Sequence, residues 1–297
     1  MGCAPGDEAI LKGWDRLSGL GGIFQVVKCS SCGLMRTNPR PVPETIGVYY
    51  PGTYGPFHTT QINRKLTLKK RFLKLLGVDL PRLPVSPPGR ILDVGCASGS
   101  FMGQMRERGW TPEGIETDSG AAAAAQAAGF PVHVGSLENA PDRPGEYDLV
   151  WMSHVLEHLH EPVKGLRRLH GWTKPGGWLV CAVPDAGALE FRVFRDAWYA
   201  LQLPTHLFHF IEKTLKAVML SAGWQVTRIS RQPTLNNLIG SIGYVVGDRM
   251  GRESGLARYL LRYPDRNTPL RDLELPLALV AAALGQTGRM QVWARKV

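Results

Sequence analysis

Residues 91–101 read Ile-Leu-Asp-Val-Gly-Cys-Ala-Ser-Gly-Ser-Phe, an apolar strand that runs into a glycine-rich turn and then a helix. Gly95 and Gly99 let backbone approach a ligand where a side chain would collide, and Ala97 between them is the next smallest choice. Asp93 closes the strand. Glu116 follows at the tip of the next strand, where a carboxylate can accept hydrogen bonds from both hydroxyls of a ribose. Together these features indicate an adenosine-type ligand. A dinucleotide fingerprint would need Gly at 97 and Gly or Ala at 100, where the chain has Ala97 and Ser100, and no Gly-Lys-Ser/Thr of a P-loop is present.

Outward from this turn, strands and helices alternate, as in a parallel sheet with crossover connections. Strands are expected at 90–95, 112–116, 131–134, 147–152 and 177–183, with helices near 100–109, 119–129, 161–172 and 211–222. The alanine run 121–128 is read as a helix that Asp118 caps and Gly129 stops. Trp224–Arg231 and Arg289–Val297 are read as the last two strands, an antiparallel pair, with residues 232–288 inserted between them. The insertion holds LNNLIGSIGYVV and LELPLALVAAAL, apolar enough to pack in a core or to lie against a membrane surface.

The chain resembles the class I S-adenosylmethionine-dependent methyltransferases. The resemblance rests on the Asp-x-Gly-Cys-x-x-Gly turn, Glu116, YDLVWMSHVLEHL, the turn Thr173-Lys174-Pro175-Gly176-Gly177 and the strand GWLVCAVPD, in that order. It looks most like the branch with a Cys-x-x-Cys lobe in front and a Pro-x-His-Leu-x-His-Phe segment behind, here Pro204 to Phe210. The resemblance implies a Rossmann-like α/β fold, a seven-stranded, mostly parallel sheet with helices on both faces, plus a small zinc-ribbon-like lobe. It also implies S-adenosyl-L-methionine as cofactor. Asp93, Gly95, Cys96, Ala97 and Gly99 would hold its methionine part, Glu116 the ribose, Ser136 and Leu137 the adenine, with Ser153 at the end of the fourth strand beside them.

Methyl transfer from a sulfonium needs an in-line nucleophile and, for an alcohol, a base that removes its proton. His154 and His158 follow the fourth strand, and His206 follows the fifth, so these three are the candidate catalytic groups. His154, Glu157 and His158 also resemble, with His at the first position, the Glu-x-x-Glu-His pattern of ubiquinone-pathway O-methyltransferases, where a divalent ion orients substrate oxygens.

In front of the fold, residues 1–45 read as a degenerate zinc-ribbon-like lobe, and 46–89 as a linker with a basic amphipathic helix, leaving 90–297 as the methyltransferase domain. Cys29-Ser30-Ser31-Cys32-Gly33 is one zinc knuckle, and Cys3 is the one further cysteine upstream. A structural zinc takes four ligands. The lobe is therefore expected to bind zinc weakly or not at all, unless the natural chain begins earlier with one more cysteine.

The net charge of +10 is local: residues 1–90 hold 13 Lys/Arg against 5 Asp/Glu, and residues 91–297 hold 22 against 20. Much of the excess lies in Arg64, Lys65, Lys69, Lys70, Arg71 and Lys74, interleaved with leucines, which reads either as the solvated face of a helix packed on the main domain or as a contact for a phosphorylated acceptor, an anionic membrane or nucleic acid. The Asn/Asp-Pro-Pro-aromatic motif of amino-methylating enzymes is missing, which argues against nucleic acid. The longest uncharged apolar run, Leu275–Leu284, falls short of the roughly 20 residues that span a bilayer. Five cysteines, scattered except for Cys29 and Cys32, fit a reduced, cytoplasmic setting, with peripheral membrane contact left open. The expected activity is O-methylation of a small or lipid-linked acceptor, with sugars or glycans leading; carbon methylation of a nucleotide-linked deoxysugar and a noncatalytic binding protein are the rivals. No obligate protein partner is expected.

Overall fold

The computed structural model describes residues 3, 6–50, 88–263 and 274–297. The basic helix expected around 64–74 lies outside them. Along the chain, strands β1 (Asp7–Gly13), β2 (Phe24–Cys29) and β3 (Met35–Asn38) precede β4 (Arg90–Val94), α1 (Ser100–Arg106), β5 (Thr111–Glu116), α2 (Ser119–Ala127), β6 (Val132–Val134) and β7 (Tyr147–Ser153). Then come α3 (Pro162–Trp172), β8 (Thr173–Pro184), α4 (Leu189–Phe194), β9 (Phe208–His209), α5 (Glu212–Ser221) and β10 (Trp224–Arg231). The inserted residues form α6 (Asn236–Met250), α7 (Gly255–Arg262) and α8 (Leu275–Ala283), and β11 (Arg289–Lys296) ends the chain.

Seven strands make one sheet in the order β10-β11-β8-β7-β4-β5-β6. β4 pairs in parallel with β5 and β7, and β7 in parallel with β8. Buried on both faces, these strands carry apolar runs rather than alternation; Ile91, Leu149 and Val180 have no exposed surface. β10 and β11 are antiparallel, since Gln232 faces Arg289 and Thr227 faces Trp293. The chain order reverses between β4 and β7, one branch continuing through β5 and β6 and the other through β8. Ligands of such sheets sit outside the carboxyl ends of the strands at this reversal.

Local chemistry sets the boundaries. Asp118 caps α2 by accepting the Ala121 amide at 2.7 Å, and Gly129, at φ +81°, ends it. Pro162 opens α3 at a position where its missing N–H costs nothing.

The chain divides into two compact units: residues 1–51, 183–216 and 229–291 form one, and residues 52–182, 217–228 and 292–297 the other. In the first, β1, β2 and β3 form an antiparallel sheet to which β9 adds as a fourth strand. Its core joins Leu11, Phe24, Val26 and Met35 of the lobe to Phe191, Trp198, Leu201 and Leu203. The first apolar stretch of the insertion is packed here: Gly240 of α6 has no room for a Cβ against the Tyr199 ring, and Ser241 Oγ accepts the Tyr199 amide at 2.9 Å. The second, α8 with the Leu284 that follows it, leaves Leu277, Val280 and Leu284 exposed at 61%, 57% and 70%. No described helix is long and apolar enough to cross a membrane.

Candidate functional site

In the second unit, the turn after β4 is built by backbone that only glycine holds without strain: Gly95 and Gly99 take φ +76° and +82°. Packing adds a second reason. A Cβ on Gly95 would lie 2.5 Å from Val155 Cγ2, and one on Gly99 would lie 3.0 Å from Phe130 and 3.2 Å from Ala125. Both glycines thus answer to the packing around them as well as to the backbone of the turn. The side chain of Cys96 turns away from the turn into a cluster with Met102, Ala125 and Phe130, and burial pushes its thiol up, so only its backbone faces the turn.

Glu116 is 4% exposed and is not the surface carboxylate its charge alone would suggest. Its Oε2 accepts the Ala97 amide at 2.8 Å and its Oε1 the Asp118 amide at 2.9 Å, so the β5 carboxylate ties the β4 turn to the start of α2. Asp93 is also 4% exposed. Burial, then the charge of Glu116, push its pKa up to about 8. Among the described residues no cation forms an ion pair with either carboxylate. Gly135 N–H donates to Glu116 O, which brings Ser136 and the buried Leu137 next to this acid pair. Ser153 ends β7, the strand on the other side of β4.

His154 follows Ser153 with φ +57°, a conformation uncommon for a residue other than glycine. Its amide donates to Ala182 O at 2.8 Å, and its Nδ1 lies 3.2 Å from Oε1 of Glu157, which has no exposed surface. A carboxylate there fixes the ring with Nδ1–H donated and the lone pair on Nε2, the arrangement of a base held by an orienting acid. His158 closes the same short 3-10 turn, Leu156–His158. A metal held by His154, Glu157 and His158 together is not supported: these three do not bring their ligand atoms within 4.8 Å of one another.

In the first unit, the two histidines after the fifth strand separate into different roles. His206, 3% exposed, has Nδ1 at 2.8 Å from Ala200 O; a carbonyl only accepts, so Nδ1 carries a proton. His209 Nε2 lies 3.1 Å from Thr37 Oγ1, whose own hydrogen goes to His206 O at 2.6 Å. Burial pulls the His209 pKa down to about 3, which leaves it a neutral structural donor and a poor base.

Thr37 was not legible as a site residue, nor was a buried polar group around the end of β8. There Arg231 Nε approaches Asp185 Oδ2 at 2.8 Å, and Asn237 of α6 donates to Gly288 O at 2.9 Å. Glu190, pushed up to about 7 by burial, accepts Trp198 Nε1 at 3.4 Å. The one signal of this group in the sequence is the polar pair Asn236-Asn237 within an apolar run.

The lobe brings Cys3, Cys29 and Cys32 together, each sulfur within 4.8 Å of the others. Backbone N–H groups of Cys32 and Ser31 pull the Cys29 thiol down to about 7, and the neighbouring thiols push Cys3 up to about 11. Gly33, at φ +75°, turns the knuckle, and its amide returns to Cys29 O at 2.9 Å. This suits three corners of a tetrahedral thiolate site. Among the described residues, no fourth ligand joins them.

Compared with known proteins, residues 63–229 match a family described as "Methyltransferase domain". A ubiquinone biosynthesis O-methyltransferase of Pseudomonas aeruginosa (strain LESB58) is 29% identical over 142 residues, 45% of this chain and 61% of that protein. The protein of the same name from Albidiferax ferrireducens is 31% identical over 142 residues, 45% of this chain and 56% of that one. The chain thus spans less than two thirds of the length of these relatives. An S-adenosylmethionine-dependent methyltransferase from Mesorhizobium loti has a crystal structure that aligns with a TM-score of 0.48 at 16% identity, covering 72% of this chain and 93% of that one.

Proposed function

Because the chain belongs to the methyltransferase-domain family, we propose that it is an S-adenosylmethionine-dependent methyltransferase acting on a hydroxyl of a small or lipid-linked acceptor. The observation that carries the cofactor is the acid pair at the sheet's reversal point. Asp93 and Glu116 are both buried, and no described cation offsets them, so the site favours a ligand that brings positive charge and hydroxyl donors. S-adenosylmethionine has both, and when bound it supplies an electrophilic methyl group on a sulfonium.

The protein's own residues then divide the work. Asp93 and the turn Gly95–Gly99 hold the cationic end, with Cys96 and Ala97 contributing backbone. Glu116 accepts from the ribose while keeping the Ala97 amide, since each carboxylate oxygen has more than one lone pair. Ser136 and Leu137 flank the adenine, and Ser153 meets the cofactor from the end of β7. Proton removal from the acceptor falls to His154, anchored by Glu157, or to His206, anchored by Ala200.

Oxygen as the methylated atom is favoured by these two anchored imidazoles and by the names of the relatives, which are O-methyltransferases of ubiquinone biosynthesis. A sugar or glycan hydroxyl remains our leading acceptor from the lobe and Pro204–Phe210 pattern, and a hydroxylated ring with a lipid tail is the alternative. The exposed Leu277 and Val280 of α8, with Leu284 just after it, support a lipid-linked acceptor and peripheral membrane contact. The test is transfer of labelled methyl from S-adenosylmethionine into lipid, glycan and nucleotide-sugar fractions of the source cell. Label in an alkali-stable ether of one fraction is the expected result. Cofactor binding with no labelled fraction would favour a noncatalytic protein, and label on carbon would favour the deoxysugar alternative.

A further inference from the structure

We propose that Thr37, on β3 of the amino-terminal lobe, is a positioning residue for His206, so that the lobe serves the reaction by holding the imidazole of a distant loop. The inference rests on the reading of His206 as part of the catalytic machinery.

The geometry lies within one compact unit. β9 carries only Phe208 and His209, too short to hold its place without a partner, and it is secured by pairing with β3, Met35 opposite His209 and Arg36 opposite Phe208. The ladder is extended by the Thr37 amide, which donates to Leu207 O at 3.0 Å. On the same residue, Thr37 Oγ1 donates its single hydrogen to His206 O at 2.6 Å. Having given that hydrogen, Oγ1 can only accept from His209 Nε2 at 3.1 Å. One hydroxyl therefore fixes the carbonyl of His206 and the ring of His209, and the backbone beside it fixes Leu207.

The other end of the His206 residue is held from its own loop. The His206 amide donates to Gln202 O at 2.9 Å, and Nδ1 to Ala200 O at 2.8 Å. The second bond holds a proton on Nδ1, and that bond depends on where the His206 backbone lies. Thr37 is 1% exposed and His209 2%, so no water replaces the hydroxyl if it is lost; His206 O and His209 Nε2–H would both be left without it. The loop must then shift to recover partners, carrying the imidazole with it.

The experiment uses the full chain labelled with nitrogen-15 at histidine, with the His206 resonances identified by their loss in His206→Gln. The wild type should show His206 as the Nδ1–H tautomer. Thr37→Val, which keeps shape and backbone amide but not the hydroxyl, should give a mixture of tautomers and a titration midpoint moved by about half a pH unit or more, and Thr37→Ser should restore the wild-type pattern. Thr37→Ala is read the same way should the valine variant fail to fold. An unchanged tautomer and midpoint in the folded variant would overturn the proposal. The underlying reading fails separately: methyl transfer undiminished in His206→Gln would remove His206 from the chemistry whatever the spectra of the Thr37 variants show.

Discussion

His154 Nδ1 stands 3.2 Å from Oε1 of Glu157, a carboxylate without exposed surface, at a backbone position that takes φ +57°. Strain of about 1–3 kcal/mol persists only where surrounding structure enforces it, and here it aims an imidazole from the carboxyl end of β7. Replacing His154 with Ala should lower turnover about a hundredfold or more while leaving S-adenosylmethionine affinity unchanged. Glu157→Gln, of equal size, should lower turnover about tenfold or more by releasing the tautomer, again without loss of cofactor. Turnover and calorimetric affinity measured on both variants check this. If His154→Ala works at full rate, the base is His206 or none is needed.

The raised pKa of Asp93, about 8, predicts a proton linked to cofactor binding. A cationic ligand favours the ionised acid, so binding near pH 7 should release a proton, and affinity should rise with pH until the carboxyl is ionised in the free protein. Calorimetry in buffers of different ionisation enthalpy reads the proton directly; heats independent of buffer would refute the linkage. Stability moves the opposite way. The folded state holds this proton more tightly than the unfolded chain, so this group's contribution declines as pH rises from about 4 to about 8. Asp93→Asn should remove that slope.

Glu116 makes two separable contributions. Its loss to Ala should weaken S-adenosylmethionine by about 2–4 kcal/mol through the ribose bonds. It should also free the Ala97 and Asp118 amides that the carboxylate now holds, lowering thermal stability. Since Glu116 is one of the two causes of the high Asp93 pKa, Glu116→Gln should move the proton linkage to lower pH. Unchanged affinity in Glu116→Ala would sink the ribose assignment.

Much of this arrangement could be read along the chain because it is local. The strand-turn-helix at 91–101, the Asp118 cap and the Gly129 stop each depend on residues a few positions apart, and they stand where the pattern put them. Antiparallel β10 and β11 were legible despite the long insertion because each is a continuous strand pattern of its own. The pairing of β9 with β3 was not. Two residues carry no periodicity, and their partner lies more than 160 positions away, so nothing in either segment names the other. Thr37 shares that limit: a threonine in a short strand looks the same whether its hydroxyl meets water or His206 O. The direction of the Cys96 side chain was not legible either, because position in a turn does not say which way a side chain points, and here it points into the core.

The three-thiol cluster sets the last prediction. A thiol binds zinc as thiolate, and the three differ in readiness: Cys29, near 7, is partly ionised at neutral pH, whereas Cys3, near 11, must lose its proton to the metal. Three sulfurs leave one tetrahedral corner to water or an outside ligand, which characterises exchangeable rather than structural zinc. The 297-residue protein should therefore take up zinc weakly, more strongly as pH rises, and lose it to a chelator without unfolding. Cys3→Ser should weaken uptake further by removing one of the three donors. Metal analysis before and after chelation, with the same preparation followed by thermal melting, checks each part. Stoichiometric zinc that survives the chelator would mean that a fourth ligand completes the site from beyond these three cysteines.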